Sequence, residues 1–196
     1  MQVKEKSSIL YLIGKQMFKI VFSLFYRWHI EGVENIPQLG GAIIAPNHIS
    51  FFDPPLAGSA MKRPLYFMAK KELFDIPIFG WTIKQTNAFP VKRGTQDISA
   101  MRHAFSLLEK GHLLLMFPEG MRSKNGEIGK ARTGVGMVAY NAQVPLIPVK
   151  IENTNTMLKF KQIKIKYGKP VYPSKDFEKS DYANLSQKAL DAIAKM

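Results

Sequence analysis

The sequence predicts an α/β fold: a single domain, residues 29–196, with a largely parallel or mixed central sheet flanked by helices, preceded by an N-terminal amphipathic membrane-associating helical segment, residues 1–28. Apolar runs of strand length, such as 41–46, 86–91 and 112–117, are bounded by Gly and Pro. Between two of them, Ile98, Met101, Phe105 and Leu108 fall at helical spacing, and Gly111 ends the run. Strands alternating with helices in this way make a sheet covered on both faces, whose ligand-binding loops gather at the carboxyl ends of the strands.

Ser8 to Trp28 is apolar, yet Lys15, Lys19, Ser23 and Arg27 recur every four residues. A helix built this way has a wide apolar face and a basic edge, which suits a segment lying in the membrane interface. Phe18, Phe22, Phe25, Tyr26 and Trp28 supply the aromatic rings favoured at headgroup depth. Lys15, Gln16 and Lys19 interrupt the run near its middle, and no small-residue cleavage site follows, so neither a span nor a secretory signal is expected. The alternative is a helix packed on its own domain.

His29 to Ile36 reads as a short strand and turn, and Pro37 to Gly41 as the loop into the strand 41–46. Asp53 followed by Pro54 marks a helix start, with Asp as N-cap and Pro at the first helical position. His48 therefore lies on the turn between a strand and a helix. On a continuous helix a pair five residues apart would sit about 140° apart, but a turn folding back can join them. An aspartate that holds one imidazole nitrogen leaves the other free to act as a base. By itself, a histidine in a turn serves as well as a capping residue.

A strand at 64–69 runs into Lys70-Lys71-Glu72-Leu73, and a helical stretch at 76–84 is broken by Pro77 and Gly80. The strand 86–91 ends at Lys92-Arg93-Gly94, after which Thr95 or Asp97 caps the next helix. The buried strand 112–117 leads into Pro118-Glu119-Gly120-Met121-Arg122-Ser123. His48, Arg93 and the 118–123 loop thus each follow a strand, and three loops are expected to meet at one site. Arg93 and Arg122 suit a phosphate because guanidinium offers planar paired donors. Lys70, Lys124, Lys130 and Arg132 add positive field, and Glu119 either fixes the Arg122 guanidinium or bonds a substrate hydroxyl. For each of these charges the alternative is a solvated surface group.

Residues 134–142 read as a small-residue helix packed closely on the sheet. Residues 144–149 read as a core strand in which Pro145 and Pro148 argue against a central hydrogen-bonded ladder at those positions. Ile163, Ile165 and Tyr167 alternate with Lys164 and Lys166 as in a half-solvated strand, and 180–196 closes the chain as a helix.

A net charge of +13, from 28 Lys plus Arg against 15 Asp plus Glu, points to an anionic partner: nucleic acid, a membrane surface or a phosphorylated substrate. No helix-turn-helix, zinc-finger or RNP-like pattern occurs, which argues against nucleic acid. Without cysteine the chain has no thiol nucleophile, and without Gly-x-Ser-x-Gly it lacks the usual sign of a serine acyl-enzyme. A metal hydrolase built on His48, Asp53 and Glu119 would want paired histidine ligands, and none of the four histidines forms a His-x3-His set; no metal is expected.

Four ordered blocks carry a resemblance. Asn47-His48-x4-Asp53, Phe89-Pro90-Val91-Lys92-Arg93-Gly94, Phe117-Pro118-Glu119-Gly120-Met121-Arg122-Ser123 and Val144-Pro145-Leu146-Ile147-Pro148-Val149 resemble those of the glycerolipid acyltransferase family over about residues 30 to 170. The resemblance implies transfer of a fatty acyl group from acyl-CoA or acyl carrier protein to lysophosphatidic acid, with no cofactor. It makes His48 the base and Asp53 its partner. Arg93, Glu119, Gly120 and Arg122 become the acceptor-phosphate site, and Pro145 part of the fourth block. Met121 stands where the family usually has Thr. The implied location is the cytoplasmic face of a membrane with an anionic surface, held monotopically, and the alternative acceptors are glycerol-3-phosphate or another lysolipid.

Overall fold

The computed structural model describes residues 7–92, 97–123, 125–174 and 181–196. Within them, seven strands join one sheet: β1 (His29–Glu31), β2 (Ala42–Pro46), β3 (Leu65–Lys70), β4 (Ala88–Val91), β5 (Leu113–Leu115), β6 (Leu146–Glu152) and β7 (Lys164–Tyr167). Their order is β1-β7-β6-β2-β5-β3-β4, and every neighbouring pair is parallel except β6 with β7. The sheet is therefore mixed but largely parallel, as the alternation predicts. The helices are α1 (Ile9–Tyr26), α2 (Asp53–Ala60), α3 (Phe79–Gln85), α4 (Ile98–Glu109), α5 (Thr133–Asn141) and α6 (Tyr182–Ala194).

Alternate residues of one strand point to opposite faces, and here both faces are covered. Ala42 and Ile44 of β2 pack with Phe22 and Tyr26 of α1 and Leu56 of α2. Ile43, between them, packs with Ala104 and Leu108 of α4, Val138 of α5 and Leu185 of α6. Burial on both faces explains why 41–46 and 112–117 read as unbroken apolar runs. On the far flank β7 alternates as expected, with Ile165 and Tyr167 buried and Lys164 and Lys166 exposed. Asp97 caps α4 by accepting the Ala100 N–H at 3.0 Å.

Two local readings need correction. The strand expected at 144–149 extends to Glu152 and is central, paired with β2 on one side and β7 on the other. The amides of Ile43 in β2 and of Asn47 just past it donate to the carbonyls of Pro145 and Val149, so the odd-numbered residues of β6 face β2. Pro148 faces the other way. There its carbonyl accepts the Gly168 N–H at 2.8 Å, just past the end of β7, so its missing N–H falls where that ladder has ended. The helix at 134–142 makes its closest approach to α6 rather than to the sheet. A Cβ on Gly136 would come within 2.0 Å of the Tyr182 carbonyl oxygen, and the Gly136 N–H donates to Ser186 Oγ at 2.8 Å.

α1 lies along the domain. Tyr11, Phe22 and Tyr26 are buried, the Tyr11 hydroxyl accepts the Leu65 N–H at 2.9 Å, and Lys15 Nζ donates to the Lys62 carbonyl at 3.0 Å. On the opposite side of the helix Ile9, Ile13, Met17, Ile20 and Leu24 are exposed, each by 48–77%. The helix thus has two apolar rows: one docked, the other facing solvent. Packing on its own domain describes the docked row.

Candidate active site

The strands β6, β2 and β5 are adjacent and parallel, so their carboxyl ends open on one edge. Each delivers one part of the site. Asn47 carries the β2–β6 pairing beyond Pro46 with its side chain, donating to the Ile151 carbonyl at 3.0 Å and accepting the Ile151 N–H at 2.7 Å. This fixes the backbone immediately before His48.

The chain then turns back so that His48 Nδ1 lies 2.8 Å from Asp53 Oδ2, the side chains being 7% and 0% exposed. Asp53 is not the forward N-cap that its position before Pro54 suggests. It is the first residue of α2, and its Oδ2 accepts the backward N–H groups of Ile49 and Ser50, each at 2.8 Å. Local amides thereby anchor the carboxylate and close the turn. The imidazole stacks on Phe117 from the end of β5, with ring centroids 3.7 Å apart and planes 14° apart. A carboxylate that accepts from Nδ1–H selects the imidazole tautomer whose Nε2 can accept a proton.

The 118–123 loop is fastened to this turn from both sides. Glu119 is buried; its Oε1 accepts the His48 N–H at 3.1 Å and its Oε2 the Gly129 N–H at 3.0 Å. Expected to serve Arg122 or a substrate hydroxyl, Glu119 instead braces backbone. The Ser123 N–H donates to the His48 carbonyl at 2.8 Å. Gly120 holds a left-handed φ of +70°, and a Cβ there would come within 2.8 Å of Arg132 Cδ, so the turn requires glycine. Arg122 extends back over the His48 turn, its guanidinium carbon 3.4 Å from the centre of the exposed Phe51 ring. Stacked this way, guanidinium keeps its in-plane donors for a ligand. Among the described residues no carboxylate pairs with Arg122.

Two other predicted site residues stand apart. Lys70 ends β3, two strands from β2, and pairs with Glu72 at 3.3 Å, both half-exposed. Pro145 lies at the opposite end of the sheet, immediately before β6, where its carbonyl accepts the Ile43 N–H at 3.0 Å. Arg93 lies outside the described residues, as does Lys124.

Sequence reasoning missed Thr154. Its side chain is almost fully buried just after β6, and its hydroxyl donates to Asp53 Oδ1 at 2.6 Å. Placing the end of that strand at Val149 hid it, because a residue following a parallel strand is itself a signal for a site.

The described site is a mixed α/β sheet with a buried His–Asp pair at its strand ends and an arginine on the adjoining loop. The sequence model described as Acyltransferase matches residues 27–152, and the chain belongs to that family. It is 30% identical over 176 residues to a chloroplastic 1-acyl-sn-glycerol-3-phosphate acyltransferase of Arabidopsis thaliana, covering 84% of this chain and 49% of that protein. It is 27% identical to the Bacillus subtilis enzyme of the same name, covering 91% and 88%. The crystal structure of the 1-acyl-sn-glycerophosphate acyltransferase PlsC from Thermotoga maritima superposes with a TM-score of 0.77 at 27% identity, covering 94% of this chain and 78% of that one. The chain spans about half the length of the plant relatives.

Proposed function

We propose that the protein transfers a fatty acyl group from acyl-CoA or acyl carrier protein to the sn-2 hydroxyl of lysophosphatidic acid, giving phosphatidic acid. The observation that carries this reading is the buried His48–Asp53 contact at 2.8 Å with Arg122 fastened alongside. His48 Nε2 takes the proton of the acceptor hydroxyl while Asp53 stabilises the imidazolium that forms. The hydroxyl oxygen attacks the thioester carbonyl, the tetrahedral intermediate collapses, and the leaving thiolate takes the proton back from His48. No redox change occurs and no cofactor is needed. Arg122 binds the acceptor phosphate, and the family resemblance supports the same role for Arg93.

The acceptor lies in a bilayer, and the solvent-facing row of α1 supports interfacial binding. By length and composition α1 would also serve as a membrane span. Its docked row favours a monotopic arrangement, because turning the helix across a bilayer would strip Phe22 and Tyr26 from the domain core. Ile76, Ile78, Phe79 and Trp81 are exposed around α3, which packs beside α1, and they extend the apolar surface. An anionic, cytoplasmic leaflet suits a chain of +13 charge.

The test is a panel of acceptors, lysophosphatidic acid, glycerol-3-phosphate and neutral lysolipids, offered with acyl-CoA or acyl carrier protein donors. Lysophosphatidic acid should be preferred, and His48→Ala should lower turnover on the order of a hundredfold to ten-thousandfold in a folded protein. Near-normal turnover by folded His48→Ala overturns the mechanism, and preference for another acceptor overturns the substrate.

A further inference from the structure

We propose that Thr154 is a positioning residue of the His48–Asp53 pair, holding the carboxylate so that Oδ2 stays on His48 Nδ1. The proposal rests on the reading of that pair as the catalytic base. Asp53 is fully buried, and its two oxygens are loaded unequally. Oδ2 receives His48 Nδ1 and the Ile49 and Ser50 amides, all at 2.8 Å. On Oδ1 the bond from Thr154 adds a second point of attachment, so that the carboxylate is held at both oxygens against turning about its Cβ–Cγ bond.

The direction of that bond is set by chemistry. An ionised carboxylate only accepts, so the threonine hydroxyl must donate. At 2.6 Å the contact lies in the range of charge-assisted O–H···O⁻ bonds. Thr154 is itself held. It follows the left-handed Asn153, with φ 69°, at the end of β6, and begins the 3-10 turn Thr154–Lys159. Three residues earlier Asn47 grips both backbone groups of Ile151. The end of β6 is thus tied twice to the His48 turn, once ahead of the imidazole and once behind its carboxylate. A valine at 154 would keep the shape and leave Oδ1 buried without its donor; the carboxylate would then be held through Oδ2 alone, and its bond to His48 Nδ1 would loosen.

Thr154→Val and Thr154→Ala should each lower kcat by about 10- to 100-fold, the usual range for removing a group that orients a site residue, with the acceptor KM within about twofold of wild type. Thr154→Ser, which keeps the hydroxyl, should recover most of that loss. In an Asp53→Asn background Thr154→Val should cost no more than about twofold further, because the group it acts through is already lost. Proton and nitrogen NMR of the His48 ring gives a readout independent of substrate. The Nδ1–H signal should be sharp and far downfield in wild type and Thr154→Ser, and broadened in the valine and alanine variants. Wild-type kcat in both hydroxyl-free variants, equal losses in valine, alanine and serine, or full additivity with Asp53→Asn overturns the proposal. Should the wild-type protein fail to acylate lysophosphatidic acid, the functional reading falls, and the NMR comparison still decides the role of Thr154.

Discussion

Glu119→Gln separates a carboxylate that braces backbone from one that contacts substrate. In the native protein both oxygens accept buried or half-buried amides, His48 N–H at 3.1 Å and Gly129 N–H at 3.0 Å. Glutamine replaces one oxygen with an NH2 group. Either way it flips, one of the two amides then faces a donor and loses its acceptor, which costs about 1–3 kcal/mol, and the surviving bond loses charge assistance worth about 1 kcal/mol. The sum is roughly 2–4 kcal/mol. At about 2–4 °C per kcal/mol for a domain of this size, the melting temperature should fall by roughly 4–16 °C. Calorimetry in detergent or lipid measures it. Turnover should fall as well, since a weakened link between the 118–123 loop and the His48 turn loosens the backbone under the imidazole, while the acceptor KM changes little. An unchanged melting temperature with a raised KM for lysophosphatidic acid would refute the brace and put the Glu119 carboxylate on the substrate.

Arg122→Ala should raise the KM for lysophosphatidic acid at least tenfold and leave the donor KM and melting temperature near wild type, because its guanidinium rests on exposed Phe51 and braces nothing buried. Initial rates with each substrate varied in turn check this, and a loss confined to the donor would assign the arginine to the carrier's phosphates. Asp53→Asn should be as damaging as His48→Ala in single-turnover assays, since the amide keeps the shape but can present a donor to Nδ1 and select the wrong tautomer. Ile13, Met17 and Leu24, all changed to Asp, should abolish flotation with anionic vesicles without lowering the melting temperature, because all three lie on the undocked row of α1. Lys19→Glu should weaken flotation partly, in a salt-sensitive way, whereas Lys15→Glu should also cost stability, because Lys15 is half-buried on Lys62 and burial pulls its ammonium below the usual lysine range. Undiminished flotation of the triple variant would place membrane contact elsewhere.

Sequence alone determined what short-range chemistry dictates. The strand runs follow from burial on both faces of a parallel sheet, and the helices from apolar spacing between Gly and Pro boundaries. The His48–Asp53 pair was legible because its supports are local: Asp53 closes a turn with the amides of Ile49 and Ser50, four and three residues away. The convergence of the loops after β2 and β5 followed from the parallel topology. Tertiary structure decided everything that depends on a bond between distant segments. Thr154 meets Asp53 across 101 residues, Asn47 grips Ile151 across 104, and Glu119 reaches His48 across 71. Two of these three contacts end on backbone amides or carbonyls, which every residue type offers, so no pattern of side chains announces them. The same holds for β6, whose prolines argue against a central hydrogen-bonded ladder at their positions until the register shows Pro148 facing the place where β7 ends. It holds again for α1, where a sequence with two apolar rows is the same whether one row is docked or both are free, and only the packing of Phe22 and Tyr26 into the core decides which row is left exposed.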